Sequence, residues 1–200
     1  FGSDVAIAGS WIAVGAPGND DIDTNAGAIH IFQWDGLEDV SYIDTVYGAD
    51  SGVDNYFGYT VAMSPNYLIG GSPYADLSET NDGTATVFGY DIGIGWYFRD
   101  FMKSPNPQND ELMGISLDIT ESSSFGTVVI AGASGSNFST GTAYIFTDDG
   151  SGFDSGNTID PPAPGTGHLF GDAVAIADDR FVVGEPGCAD NGLDSGAVWV

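Results

Sequence analysis

The residues best suited to chemistry are acids and amides gathered in short polar stretches. Asp20, Asp21, Asp23 and Asn25 lie together, and Asp21-x-Asp23-x-Asn25 sets oxygen ligands at alternate positions. Alternate side chains can converge on one hard cation, so calcium is the ion this stretch suits. Corresponding stretches carry Asp76, Glu79 and Asp82, and later Asp190 and Asp194, whereas residues 134–140 hold no acid. A metal is therefore not general to these loops. The competing reading is a solvated turn, because Asp and Asn favour turn geometry without any ion.

Other chemistry finds less support. There are two histidines, His30 within an apolar run and His168 just before another, and a structural role suits His30. Gly132-Ala133-Ser134-Gly135-Ser136 departs from the nucleophile-elbow pattern at its last position. No His-x-x-His or Cys-x-x-Cys spacing marks a zinc site. Trp11, Trp34, Trp96 and Trp199 read as core or sheet-edge packing rather than a sugar platform. The sequence implies no enzyme. Asn137-Phe138-Ser139 is an N-glycosylation acceptor triplet in an expected loop.

Charge narrows the class of partner. Asp and Glu number 29 against three Lys and Arg, a net charge of −26. Such a surface repels nucleic-acid phosphate and anionic lipid, and repels itself unless cations screen or bind it. A salty or calcium-rich extracellular setting suits it. The one cysteine, Cys188, can form no internal disulfide and reads as a small buried thiol. No apolar run approaches the roughly 20 residues needed to span a membrane. The chain opens directly on a repeat and closes within an apolar run, as expected of a segment of a longer or matured protein.

These loops must be positioned by a repeated element. Phe1-Gly2, Phe57-Gly58, Met113-Gly114 and Phe170-Gly171 begin four similar stretches spaced 56, 56 and 57 residues apart. Three reach a small-residue motif at the same offset: Gly15-Ala16-Pro17, Gly71-Ser72-Pro73 and Gly184-Glu185-Pro186. The third is longer, with Glu121-Ser122-Ser123-Ser124 inserted before Gly132-Ala133-Ser134. A fixed period of this size signals a repeat architecture. Within each unit, short β-branched and aromatic runs separated by Gly-containing turns predict four antiparallel strands, with three in the last. In the first unit these are Val5–Ala8, Trp11–Ala16, 27–34 and 41–47. The first two runs of each unit are almost wholly apolar, which predicts burial on both faces. A lone four-stranded sheet cannot provide that, but sheets stacked face to face can. The expected fold is an all-β propeller of four-stranded antiparallel blades, about 1–56, 57–112, 113–169 and 170–200. Phe1, Phe57 and Phe170 are expected to wedge between blades.

Phe1-Gly2, Val14-Gly15-Ala16-Pro17 and Gly27-Ala28-Ile29-His30-Ile31-Phe32 together resemble the FG-GAP repeat family, as do the second and fourth units. The family builds integrin-type propellers. The resemblance implies a propeller, usually of seven blades; with about three and a half repeats, this segment is either half of a ring, or completed by a strand from elsewhere, or a set of sheets stacked openly along a fibre. It also implies calcium loops, although in the family these lie between the first two strands, where this chain has only Gly9-Ser10. The expected function is extracellular, non-enzymatic adhesion or a structural surface role, with calcium stiffening acidic loops. The partners are other chains or further blades, and glycans. A filament subunit or homopolymer, and a polysaccharide-acting enzyme, stay open as alternatives.

Overall fold

The computed structural model describes residues 1–122, 126–189, 192 and 195–200. Each repeat is a sheet of consecutive antiparallel strands in simple up-and-down order. The first holds β1 (Val5–Ala8), β2 (Trp11–Ala16), β3 (Ala28–Trp34) and β4 (Val40–Val46). The second holds β5 (Val61–Met63), β6 (Tyr67–Ser72), β7 (Thr84–Asp91) and β8 (Gly95–Lys103). The third holds β9 (Ser116–Ser122), β10 (Gly126–Ala133), β11 (Thr142–Asp148) and the short β12 (Asn157–Ile159). The fourth has β13 (Val174–Ala177), β14 (Arg180–Glu185) and β15 (Ala197–Trp199). In the first blade the strand limits differ from expectation by one residue at most, and the fourth sheet has three strands as expected. One short turn, α1 (Ser136–Ser139), interrupts the third β2–β3-type loop, with Asn137 and Phe138 in left-handed backbone conformations.

The hydrophobic core lies between sheets, in three clusters that correspond to three junctions. Ala13, Ile29, Ile31 and Val46 of the first blade meet Phe57, Val61, Leu68 and Phe88 of the second. Ile69, Ala85, Val87 and Met102 of the second meet Met113, Val129, Ala131 and Phe146 of the third. Ile130 and Ala143 of the third meet Phe170 and Val183 of the fourth. Neighbouring residues in one strand serve opposite junctions: Leu68 faces one and Ile69 the other, as do Val129 and Ile130. Strand side chains alternate between faces, so an unbroken apolar run is what a doubly covered strand requires.

The blade-opening residues confirm the wedge, with one instructive difference. Phe57, Met113 and Phe170 are almost fully buried, but Phe1 is 79% exposed. Val5 and Ile7 are exposed on the same blade, because this chain places a neighbour on only one of its faces. Close approach explains the recurring glycine of the second strand. A Cβ on Gly15, Gly71 or Gly132 would lie 2.1, 2.2 or 1.9 Å from the carbonyl oxygen of Gly58, Gly114 or Gly171 in the next blade. No side chain fits there, so glycine at these positions sets the spacing between blades.

Candidate functional site

The acidic loops between the second and third strands lie against the connectors that lead into the next blade. In the first junction Asp54 N donates to Thr24 O, Tyr56 N to Asn25 O and Phe57 N to Ala26 O. In the second, Asp110 N donates to Thr80 O, Leu112 N to Asn81 O and Met113 N to Asp82 O. In the third, Leu169 N and Phe170 N donate to Ser139 O and Thr140 O. A parallel bridge completes each clasp: Gly27 with Phe57, Gly83 with Met113, and Gly141 with Phe170.

Several expected calcium ligands take part in this clasp. Asp20 accepts from Asn25 N, and Asp76 from Asn81 N, both at 2.7 Å. Asn25 and Asn81 adopt left-handed backbone conformations, which Asn tolerates well. Their side-chain amides donate across the junction to Asp54 and Asp110, at 2.8 and 2.7 Å. Asp21 accepts from Asn19 and from the Tyr47 hydroxyl, and burial together with Asp21 raises the Tyr47 phenol above its ordinary range. Asp23 accepts from Thr24 N. Asp82 is buried and accepts from three backbone N–H groups, those of Leu77, Ser78 and Glu79. Glu79 is exposed. Asp190 and Asp194 lie outside the described residues. Asn137 is exposed, with its N–H donated to Gln108.

Asp4 and Asp118 form a second set of pins. Each carboxylate accepts a backbone N–H from the first strand of the next blade, Val61 at 2.8 Å and Ile176 at 2.7 Å. Thr60 and Ser116 donate across the junction to Gly114 O and Gly171 O, both at 2.7 Å. Glu121 accepts from Ser64 and from both nitrogens of Asn66.

Buried ionisable groups sit in the connectors. Glu111 is fully buried and accepts from the Tyr144 hydroxyl and from Gln108 N. Burial pushes its carboxyl up, against the lowering effect of the Tyr144 and Ser104 hydrogen bonds. Burial and Glu111 also push the Tyr144 phenol far up. Asp148 shows the reverse balance. Burial raises it, but hydrogen bonds from Arg99 and from the Gly150 and Gly152 N–H groups outweigh that and hold it below the usual carboxylate range. The Arg99–Asp148 pair is 2.8 Å long.

One grouping was not foreseen. His168 Nδ1 lies 2.7 Å from Glu185 Oε1, and Trp199 Nε1 donates to Glu185 Oε2 at 2.5 Å. With Cys188 they form the one group of three His, Cys, Asp or Glu ligand atoms found together among the described residues, all within 4.8 Å. The signal was present in the sequence: Glu185 replaces the small middle residue of the Gly-Ala-Pro motif. His30 is structural as expected, with Nδ1 2.7 Å from Thr45 Oγ1. Trp11 and Trp96 pack edge to face, 5.5 Å apart, at the first junction.

A family model described as FG-GAP repeat matches residues 1–32 and 162–200. The matched residues take in β1, β2 and most of β3 of the first blade and the three strands of the last, and the two middle sheets repeat the same antiparallel strand order. No curated protein matches the chain in sequence. The fold and these repeats define an all-β module of propeller-like blades, a class that is typically non-enzymatic. Among the described residues, no helix is long and apolar enough to cross a membrane.

Proposed function

We propose that the chain acts outside the cell as a non-catalytic scaffold, in adhesion or as a structural surface component, with calcium bound along its acidic loops. The observation carrying this reading is the alignment of acids by the clasp. The clasp ties Asp54 to the Asp20 loop through Asn25, and Asp110 to the Asp76 loop through Asn81. On a chain of net charge −26, acidic loops that recur from blade to blade favour bound divalent cations and offer a surface for other chains or glycans. A cleft of about 460 Å³ lined by Phe101, Met102, Lys103, Phe146 and Asp154 holds a single acid, which argues against a glycosidase-type carboxylate pair there.

Removing calcium with chelator at fixed ionic strength lowers the melting temperature in this account, and an unchanged melt refutes the calcium part. Calcium-dependent capture of chain-coated beads on matrix glycans or on cells tests the adhesive part, and its absence refutes that. A filament subunit is the second reading. It is favoured by apolar side chains exposed on both end blades, Phe1, Val5 and Ile7 on one and Val198 and Val200 on the other. Electron micrographs of the native assembly separate the two.

A further inference from the structure

We propose that His168, Glu185 and Cys188 form a site for a borderline-soft divalent metal of the zinc type, distinct in chemistry from the oxygen ligands of the acidic loops. His168 comes from the connector into the fourth blade, Glu185 ends β14, and Cys188 lies in the turn that follows. Imidazole nitrogen, carboxylate oxygen and thiolate sulfur are a zinc-type donor set, whereas calcium takes oxygen alone. Glu185 and Cys188 are fully buried, and the His168 side chain is 19% exposed. The group is thus enclosed on the Glu185 and Cys188 sides, with His168 its one partly exposed member.

The geometry is close to what the ion needs. A tetrahedral ion at about 2.0–2.3 Å from each ligand sets ligand atoms roughly 3.5 Å apart. The three atoms here lie within 4.8 Å of one another, and the His168–Glu185 hydrogen bond opens from 2.7 Å to admit the ion. Trp199 holds Glu185 Oε2, leaving Oε1 free to turn to the metal, which is the usual orienting role of an outer hydrogen bond. The connector makes room for the ring: a Cβ on Gly165 would lie 2.2 Å from His168 Nε2. Binding releases the thiol proton of Cys188, and the imidazole coordinates through Nδ1 with its proton on Nε2.

The sibling blades supply the independent observation. Ala16, Ser72 and Ala133 occupy the position of Glu185. Asn19 and Ala75 occupy that of Cys188, each with the same turn hydrogen bond, from Asn19 N to Ala16 O, Ala75 N to Ser72 O and Cys188 N to Glu185 O. Asn55 and Glu111 stand where His168 does, two residues before the blade opener. The fold therefore needs none of the three side chains. Glu185 and Cys188 depart together toward metal-binding types, and His168 stands beside them where the siblings hold an amide and a carboxylate.

The test is cobalt(II) titration of the metal-stripped chain, read by the thiolate-to-cobalt charge-transfer band in the near ultraviolet. One equivalent is expected, displaced by zinc and untouched by excess calcium. Cys188→Ala abolishes the band, and Glu185→Ala and His168→Asn weaken cobalt affinity by more than about 100-fold. These replacements copy residues that sibling blades already hold, so the variants fold, as an unchanged metal-free melt verifies; Cys188→Ser serves as a second thiol-free variant. No band in the folded chain, or full affinity in Glu185→Ala and His168→Asn, overturns the proposal. Calcium insensitivity makes the result independent of the acidic loops.

Discussion

Phe57 and Phe1 hold the same place in their repeats and differ in one respect, whether a preceding blade covers them. Phe57 is fully buried in the cluster with Ile29, Val46 and Phe88, its ring 6.2 Å from that of Phe88, while Phe1 is 79% exposed. Phe57→Ala leaves a cavity between two blades and is expected to cost about 3–5 kcal/mol. For a chain of this size each kcal/mol moves the melting temperature by roughly 2–4 °C, so the loss is about 6–20 °C. Phe1→Ala removes no packed contact of that kind and is expected to stay within about 0.5 kcal/mol, a shift of roughly 2 °C at most. Thermal melts followed by circular dichroism, with urea unfolding as a second measure, compare the two variants. Equal shifts, or a Phe57→Ala variant as stable as the parent, refute the claim that the junctions hold the fold together.

Gly71→Ala drives a methyl to 2.2 Å from Gly114 O, whereas Gly184→Ala meets nothing closer than 3.5 Å. Urea titration is expected to show a loss of about 1–3 kcal/mol or more for the first and little change for the second. Glu111 binds its proton more tightly in the folded chain, because burial lifts its carboxyl above the ordinary 4.5. Stability therefore falls as pH rises from that value through the raised one, and Glu111→Gln removes this part of the slope. Calorimetric melts between about pH 4 and 7 check it, and identical slopes for both proteins contradict it. Asn137 is exposed in an acceptor triplet, so secretion from a glycosylating host adds mass that Asn137→Gln removes.

Repetition made the fold legible. The spacing of Phe1, Phe57, Met113 and Phe170, and the apolar runs with no polar alternation, together require sheets covered on both faces. Leu68 and Ile69 bear this out by serving two different junctions. What pattern could not reveal was which polar groups meet across a junction. Asn25 reads as a calcium ligand or a turn residue, yet its partner Asp54 lies 29 residues away and is brought near only when the next blade docks. The same holds for Asp4 with Val61, and for Asp118 with Ile176. Phe1 departed from its expected wedge because burial at that position comes from a preceding blade. The His168–Glu185–Cys188 group has no local spacing to mark it, because His168 lies 17 residues before Glu185 and meets it only in the folded fourth blade. Against Ala16, Ser72 and Ala133, Glu185 is the one carboxylate at its motif position.

One blade has no core of its own, since its apolar residues are buried against neighbouring blades. Residues 57–112, covered on both faces in the full chain, are the most direct subject, and the amide proton–nitrogen NMR spectrum of that segment alone is the measurement. The account predicts collapsed, poorly dispersed signals for the isolated blade and wide dispersion for the 200-residue chain. A well-dispersed spectrum that melts cooperatively from residues 57–112 alone would contradict it.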